Sequence, residues 1–536
     1  MWVMSMFSFF SSSGLSWNVS EFPKPWDIGR IPIYTFIKEH IKPGQPGLPE
    51  EANILPDEIV DNENLRWVAG GLEGSDIMHA GANQQKKIAK KIYSAFKKII
   101  KNPTKKHIFV FYKLLLDNSA IDFVDELIPL IGNSRNLDFE RVEQFARWLA
   151  TKSPDRGPVK AAIAILGVFP GEQNKELFVI LSRHDEFTIY SAVAFINAFE
   201  NPELELWELA KNVNGWGRIG VVQRLAGTKN EEIKRWMLRE GYKNSIMYEY
   251  LAYNCAVTGG LLSALQHSRP DDALLVSAGD IIRALIGGDG PAESMDHYDD
   301  GAEVTQLYLH HITDRPIDFE QLLVVKDILD FVKNDEVDWK EREKKGWLQE
   351  VKKDIADKAN IILNRPEWKE KVISVLRSEV NSDECAPFHV AALVAEAIGI
   401  DTWDYYYARQ KSEHGDEWYY LMQTKDASRI DKVLRLAEDT IPLEQIATGS
   451  EFKYHDALGF IVQDLDRFPG KGWKLIKVSL KSSVIRNRNM ALIALSRWGK
   501  ENWPEDAKNI LKEALQNETD ADVKGRIQKV IKGKFL

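Results

Sequence analysis

Cysteine is almost missing from this chain: 536 residues contain only Cys255 and Cys385. Two thiols fit a reducing compartment and give no basis for a disulfide framework or a cysteine-ligated metal centre. Positive charge is in the minority, with 70 Lys and Arg against 80 Asp and Glu, a net charge of -10 and a pI near 5.7. Affinity for phosphates comes from basic side chains, so no nucleic-acid partner is expected. Long apolar runs are lacking too, and no stretch reaches the roughly 20 residues that cross a bilayer. Residues 1–20 hold Trp2, Phe7, Phe9, Phe10 and Trp17, but serines interrupt them and no Lys or Arg precedes Lys24. Neither a membrane span nor a secretory leader is therefore expected, and the expected location is cytoplasmic. Catalytic signatures are also absent: there is no G-x-S-x-G, Walker loop, H-E-x-x-H or kinase set, and neither cysteine lies in a haem-thiolate context.

What the chain has is 44% hydrophobic and 28% charged residues, which excludes long disorder and fits a folded protein. Apolar residues recur every three or four positions from about residue 84, as in Ile88, Ile92, Ala95, Phe96, Ile99 and Ile100. Residues 43–61 carry Pro43, Pro46, Pro49 and Pro56 and read as an extended, surface-wrapping arm.

Self-similarity is the strongest signal. Residues 156–167, 185–196 and 215–225 each open with a turn or cap residue and continue as a short helix rich in Ala and branched apolars, with Val159, Thr188 and Arg218 in matching places. Second helices such as Lys175–Leu181 fall between them. Near the C-terminus, residues 483–497 form a helix, Pro504 stands where the next begins, and Ile485–Arg488 matches Val523–Arg526. A repeat of two helices cannot bury its apolar stripe alone, so stacking is implied. The pattern resembles the HEAT and HEAT-like repeat family over roughly residues 150–270 and 380–536. The expected fold is all-α, a HEAT-like α-solenoid of stacked helix pairs with an atypical N-terminal segment. The expected divisions are an irregular segment and arm (1–83), helical repeats (84–270), a loop insertion with charged helices (271–380) and further repeats (381–536).

Several constellations could carry chemistry. Gly215-Trp-Gly217-Arg-Ile-Gly220 satisfies G-x-G-x-x-G, which makes the three glycines a candidate cofactor site. A helix-like stretch, Leu204–Lys211, precedes it instead of the required strand, and a repeat helix is due to start there anyway. Asp296, Asp299, Asp300 and Glu303, with His297, His310 and His311 nearby, could hold a hard cation; the alternative is a solvated loop that caps a helix starting near Val304. Glu73, Asp76 and His79 form a candidate catalytic or metal-binding trio in a glycine-rich segment; the alternative is a cap on the open end of the repeat core. Lys86, Lys87, Lys90, Lys91, Lys97, Lys98, Lys101, Lys105 and Lys106 give nine positive charges, with no acid among residues 77–116, and read as one basic amphipathic helix. Trp403, Tyr405, Tyr406, Tyr407, Trp418, Tyr419 and Tyr420 gather around Glu413, His414, Asp416 and Glu417, as in an apolar ligand pocket, an interface or plain helix packing.

Two stretches carry a closer resemblance: Arg66-Trp-Val-Ala-Gly-Gly-Leu-Glu-Gly-Ser-Asp-Ile-Met-His79 and Ala491-Leu-Ile-Ala-Leu-Ser-Arg-Trp-Gly-Lys-Glu-Asn-Trp-Pro-Glu505. With the overall length, they resemble the bacterial HEAT-like proteins labelled limonene hydroxylase. The resemblance implies an oxidoreductase, a monoterpene monooxygenase that also oxidises the product alcohol, using NAD or NAD(P)H. It brings no catalytic motif onto numbered positions, and no ligand set for haem, flavin, copper or non-haem iron stands out in the sequence. No cofactor is evident from the residues themselves. Their physical reading is an interaction scaffold with a protein partner on the solenoid surface, and a small apolar ligand is the further option. HEAT-like DNA glycosylases are disfavoured by the net charge.

Overall fold

The computed structural model describes residues 17–45, 47–58, 67–77, 85–288, 290–382, 384–412, 415–443 and 452–536. Among them every regular element is helical and no strand occurs. The protein is all-α, and it divides into two compact units, Met1–Pro316 with Asp327–Lys358 and Ile317–Lys326 with Ala359–Leu536. None of the described helices is long and apolar enough to cross a membrane.

The first unit begins with α1 (Ile33–His40), a short α2 (Gly71–Ser75), α3 (Lys86–Lys101), α4 (Lys105–Leu116), α5 (Val124–Gly132) and α6 (Phe139–Lys152). Next come α7 (Arg156–Leu166), α8 (Lys175–Leu181), α9 (Asp185–Ala198), α10 (Glu203–Lys211) and α11 (Trp216–Arg224). Then follow α12 (Glu231–Trp236), α13 (Glu249–Gly259), α14 (Leu261–Leu265), α15 (Asp272–Gly287) and α16 (Gly301–Ile312). α6, α7, α9, α11 and α13 pack in succession, each on the next, while α8 and α10 alternate with them as second helices. This is the stacked helix-pair repeat expected from the sequence. Small residues let the helices approach: a side-chain carbon on Gly217 would lie 2.6 Å from Thr188 of α9, and one on Gly167 would lie 2.8 Å from the Ala194 backbone.

α3 shows how the first unit is held. Ile92, Phe96 and Ile99 are fully buried on its inner face. Each such side chain contributes about 1.5–3 kcal/mol, against about 0–1 kcal/mol for a surface ion pair such as Lys86 with Glu126. The apolar stripe therefore docks the helix, and its lysines are not needed for docking. The lysine run is not one helix, as the sequence suggested. α3 stops at Lys101 and α4 starts at Lys105. Pro103 cannot continue the first helix, and the Thr104 hydroxyl accepts the His107 N–H at 3.3 Å to start the second.

The described parts of the N-terminal region wrap this unit. Arg30 pairs with Asp155 at 2.7 Å, Lys38 with Glu176 at 3.2 Å and Asp57 with Arg156 at 3.0 Å.

In the second unit, Phe452–Val462 packs on Ile485–Trp498, which packs on Ala521–Ile531. The intervening helix, Ala507–Asn517, begins later than Pro504. The Pro504 carbonyl instead accepts the Ala507 N–H at 3.0 Å, which closes the turn before the helix.

Candidate functional site

The repeat brings the first turns of α7, α9 and α11 side by side, and their polar residues meet there. α7 supplies Arg156 and Lys160, α9 supplies Asp185, Glu186 and Tyr190, and α11 supplies Trp216 and Gly217. A strap made of residues 67–77 lies over them. Gly70 enters it with φ +68, and a side-chain carbon there would sit 2.9 Å from the Asp185 carbonyl, so only glycine fits. Its N–H donates to Glu186 Oε1 at 3.0 Å. Gly74 lies flat on the Trp216 ring, where an added carbon would come within 2.7 Å.

Between strap and helices runs a buried ionic network. Lys160 Nζ donates to Glu186 Oε2 at 2.5 Å and to Glu73 Oε2 at 2.9 Å. The Tyr190 hydroxyl donates to the same Glu73 oxygen at 3.0 Å, and Ser119 Oγ donates to the other at 3.2 Å. Arg156 reaches Asp57 and Glu58 at 3.0 Å and Glu186 Oε1 at 3.4 Å. Burial opposes the charge on Lys160, but Glu186 and Glu73 outweigh it and raise the ammonium pKa. Burial likewise opposes the Glu186 carboxylate, yet Lys160 and Arg156 bring it down to about 2.

Two neighbours carry no cation partner among the described residues. Burial raises Asp185 to about 6, although its carboxylate accepts the Gly217 N–H at 2.6 Å and the Gly215 N–H. Burial also lowers the His184 imidazole to about 4. Its Nδ1 accepts the Glu186 N–H at 3.2 Å, so it caps α9 in the neutral form.

Of the trio Glu73, Asp76 and His79, Glu73 is the centre of this network, Asp76 is exposed, and His79 lies outside the described residues. Gly215, Gly217 and Gly220 stand at the start of α11 beside the same network. The Gly215 and Gly217 amides already bind the Asp185 carboxylate. A carbon on Gly220 would come within 1.8 Å of Ile189. The glycines thus serve helix contact, and a buried acid occupies the place of a pyrophosphate, so these residues do not fit a nicotinamide dinucleotide.

The loop before α16 is bonded differently. Asp296 pairs with Arg342 at 2.5 Å, Asp299 with Lys345 at 2.7 Å, and Glu303 accepts Gln266 at 3.0 Å. Asp300 holds the N-cap position of α16, which begins at Gly301, without a side-chain capping bond. Three of these four carboxylates therefore each engage a different side chain. His297 Nδ1 binds the Ser294 N–H, and His311 Nε2 binds the Leu265 carbonyl. Among the described residues no group of three or more His, Cys, Asp or Glu is placed to share a metal ion.

In the second unit the aromatic cluster closes around Glu417, with Glu413 and His414 outside the described residues. Glu417 is buried, accepts Arg409 Nε at 3.0 Å and bonds His389 Nε2 at 2.8 Å. Tyr406 and Tyr420 stack at 4.6 Å. The sequence reading missed His389 and Arg409 here and Lys160 and Glu186 in the first unit. Lys160 had one signal: it is the single charge within an otherwise apolar helix run, Pro158–Leu166.

No protein-family model matches this chain, and no curated protein matches it in sequence.

Proposed function

We propose that this protein is a HEAT-like interaction scaffold whose strap, residues 67–77, presents a docking surface to a protein partner. One observation carries the reading. Trp67, Val68, Leu72 and Ile77 are 54%, 57%, 52% and 43% exposed, while Gly70, Glu73 and Gly74 of the same strap are held by buried contacts. A cluster of exposed large apolar side chains is a hallmark of an association surface, and tryptophan is prominent among residues that dominate binding. Fixing the strap in advance lowers the ordering cost that association otherwise carries.

The test compares the full chain with a Trp67→Ser/Leu72→Ser double variant as bait in extract from the source cells. The scaffold reading expects a defined protein retained by the wild type and lost from the variant, with helicity unchanged. A partner retained equally by both contradicts the strap as the surface. If the purified chain instead consumes NAD(P)H with limonene, the oxidoreductase implied by the resemblance replaces the scaffold.

A further inference from the structure

The lysines of α3 play no part in the reading above. Lys86 pairs with Glu126, and Lys97 lies 4.6 Å from the centre of the Tyr93 ring. Lys98 and Lys101, in the last turn, have no side-chain hydrogen bond or ion pair among the described residues. Both border a half-open surface cavity of about 680 Å³, together with His107 of α4 and Arg141 of α6. Trp17 and Phe22 form its apolar wall, edge to face at 5.1 Å.

Cations outnumber acids in the lining of this cavity, with Lys98, Lys101 and Arg141 against Glu21. The Arg141 guanidinium lies 4.8 Å from the centre of the Trp17 ring and is steadied by Asp138 at 3.2 Å and by the Ile100 carbonyl at 3.3 Å. His107 Nδ1 donates to the Asn102 carbonyl at 2.8 Å, so the neutral ring presents Nε2 to the cavity side as an acceptor only. The Trp17 indole N–H is buried with no partner among the described residues. The lining holds one acid, Glu21, and Asn18 Nδ2 donates to it at 2.7 Å.

We propose that this cavity is a binding site for a small organic phosphate with a flat body, of the nucleoside monophosphate class. Two ammonium groups unpaired among the described residues, with a guanidinium beside them, suit a phosphate near charge -2 better than a single carboxylate. The Trp17 ring, with Arg141 already lying over it, adds an aromatic wall beside the cations against which a flat ring can pack, and the space is large enough for such a ligand. The other lysines of α3 add a local positive field that draws in anions despite the acidic chain. The site is separate from the strap and does not depend on the scaffold reading.

The test is calorimetric titration of the full chain at low salt with AMP, phenyl phosphate, inorganic phosphate and adenosine. AMP and phenyl phosphate are expected to bind, with inorganic phosphate and adenosine at least tenfold weaker. Lys98→Ala/Lys101→Ala changes only surface lysines and should weaken AMP at least tenfold with the circular dichroism unchanged. Trp17→Ala should weaken AMP and phenyl phosphate more than it weakens inorganic phosphate. No binding of AMP at millimolar concentration, equal binding of adenosine or of inorganic phosphate, or AMP binding untouched by the double lysine variant would each overturn the proposal.

Discussion

The first turns of α7, α9 and α11 and the helices near the C-terminus use one device with different results. In both regions a charged residue at a helix start reaches a partner one repeat along the chain. Arg156 meets Glu186 and Arg488 meets Glu518, each pair 30 residues apart. Gly217 reaches back to Asp185, and Asn487 Nδ2 reaches back to the His455 carbonyl, each across 32 residues. Such bonds fix the register between stacked repeats after apolar contact has brought them together. At the C-terminal stack the device is complete in itself. Arg488 also donates to the Ser482 and Ser483 carbonyls, and Glu518 Oε1 accepts the Thr519 and Asp520 N–H groups. In the first unit residues from far away in sequence join in: Asp57, Glu58, Gly70 and Glu73. The comparison teaches that a generic inter-repeat lock becomes an anchorage when a distant segment supplies some of its charges.

The sharpest way to break this contrast is at its central cation. Lys160→Met leaves Glu73 and Glu186 buried with their shared cation gone, and a loss of about 3–5 kcal/mol is expected. Arg488→Ala should cost less, about 1–3 kcal/mol, because Glu518 keeps its two backbone donors. Thermal and urea unfolding of both variants check the order.

A second contrast lies in pH. The raised pKa of Asp185 gives stability that is full below the unfolded value of 3.8 and is lost as pH rises through about 6. The depressed pKa of His184 acts in the opposite sense, with stability present above 6.5 and lost as pH falls through about 4. In the wild type the two effects offset each other between about pH 4 and 6. Asp185→Asn removes one of them. The variant should gain relative to the wild type at pH 7 and lose ground on acidification, by about 3 kcal/mol across the window. Unfolding midpoints of both proteins measured against pH check this; parallel curves would contradict it.

A more local effect concerns the strap alone. Gly74→Ala drives a methyl group into the Trp216 ring and should cost about 1–3 kcal/mol. Limited proteolysis should then cut near residues 67–77 faster than in the wild type, with the C-terminal stack unchanged.

The sequence made the repeats legible because they are local. The starts of α7, α9 and α11 and the bounds of α8 follow from cap residues, small residues and spacing. The three glycines were legible as a helix start on the repeat period, since no strand pattern preceded them. The division of the lysine run was missed although Pro103 marked it, because the charges read as continuous. Partnerships across long loops were not legible. Lys160 and Glu73 stand 87 residues apart and Arg156 and Asp57 stand 99 apart, and neither periodicity nor spacing encodes such distances. Glu417 was visible within an aromatic cluster, but its partner His389 lies 28 residues upstream on a helix that shows no polar pattern of its own.

Hydrogen exchange at the Gly70 and Gly74 amides tests the anchored strap most directly. Gly70 N–H is bonded to Glu186 and Gly74 N–H to the Gly70 carbonyl. Both should exchange slowly in the wild type and at nearly free rates in Lys160→Met, while the α7 amides stay protected. Free-rate exchange at both glycines in the wild type would contradict the anchorage and, with it, the docking surface it supports.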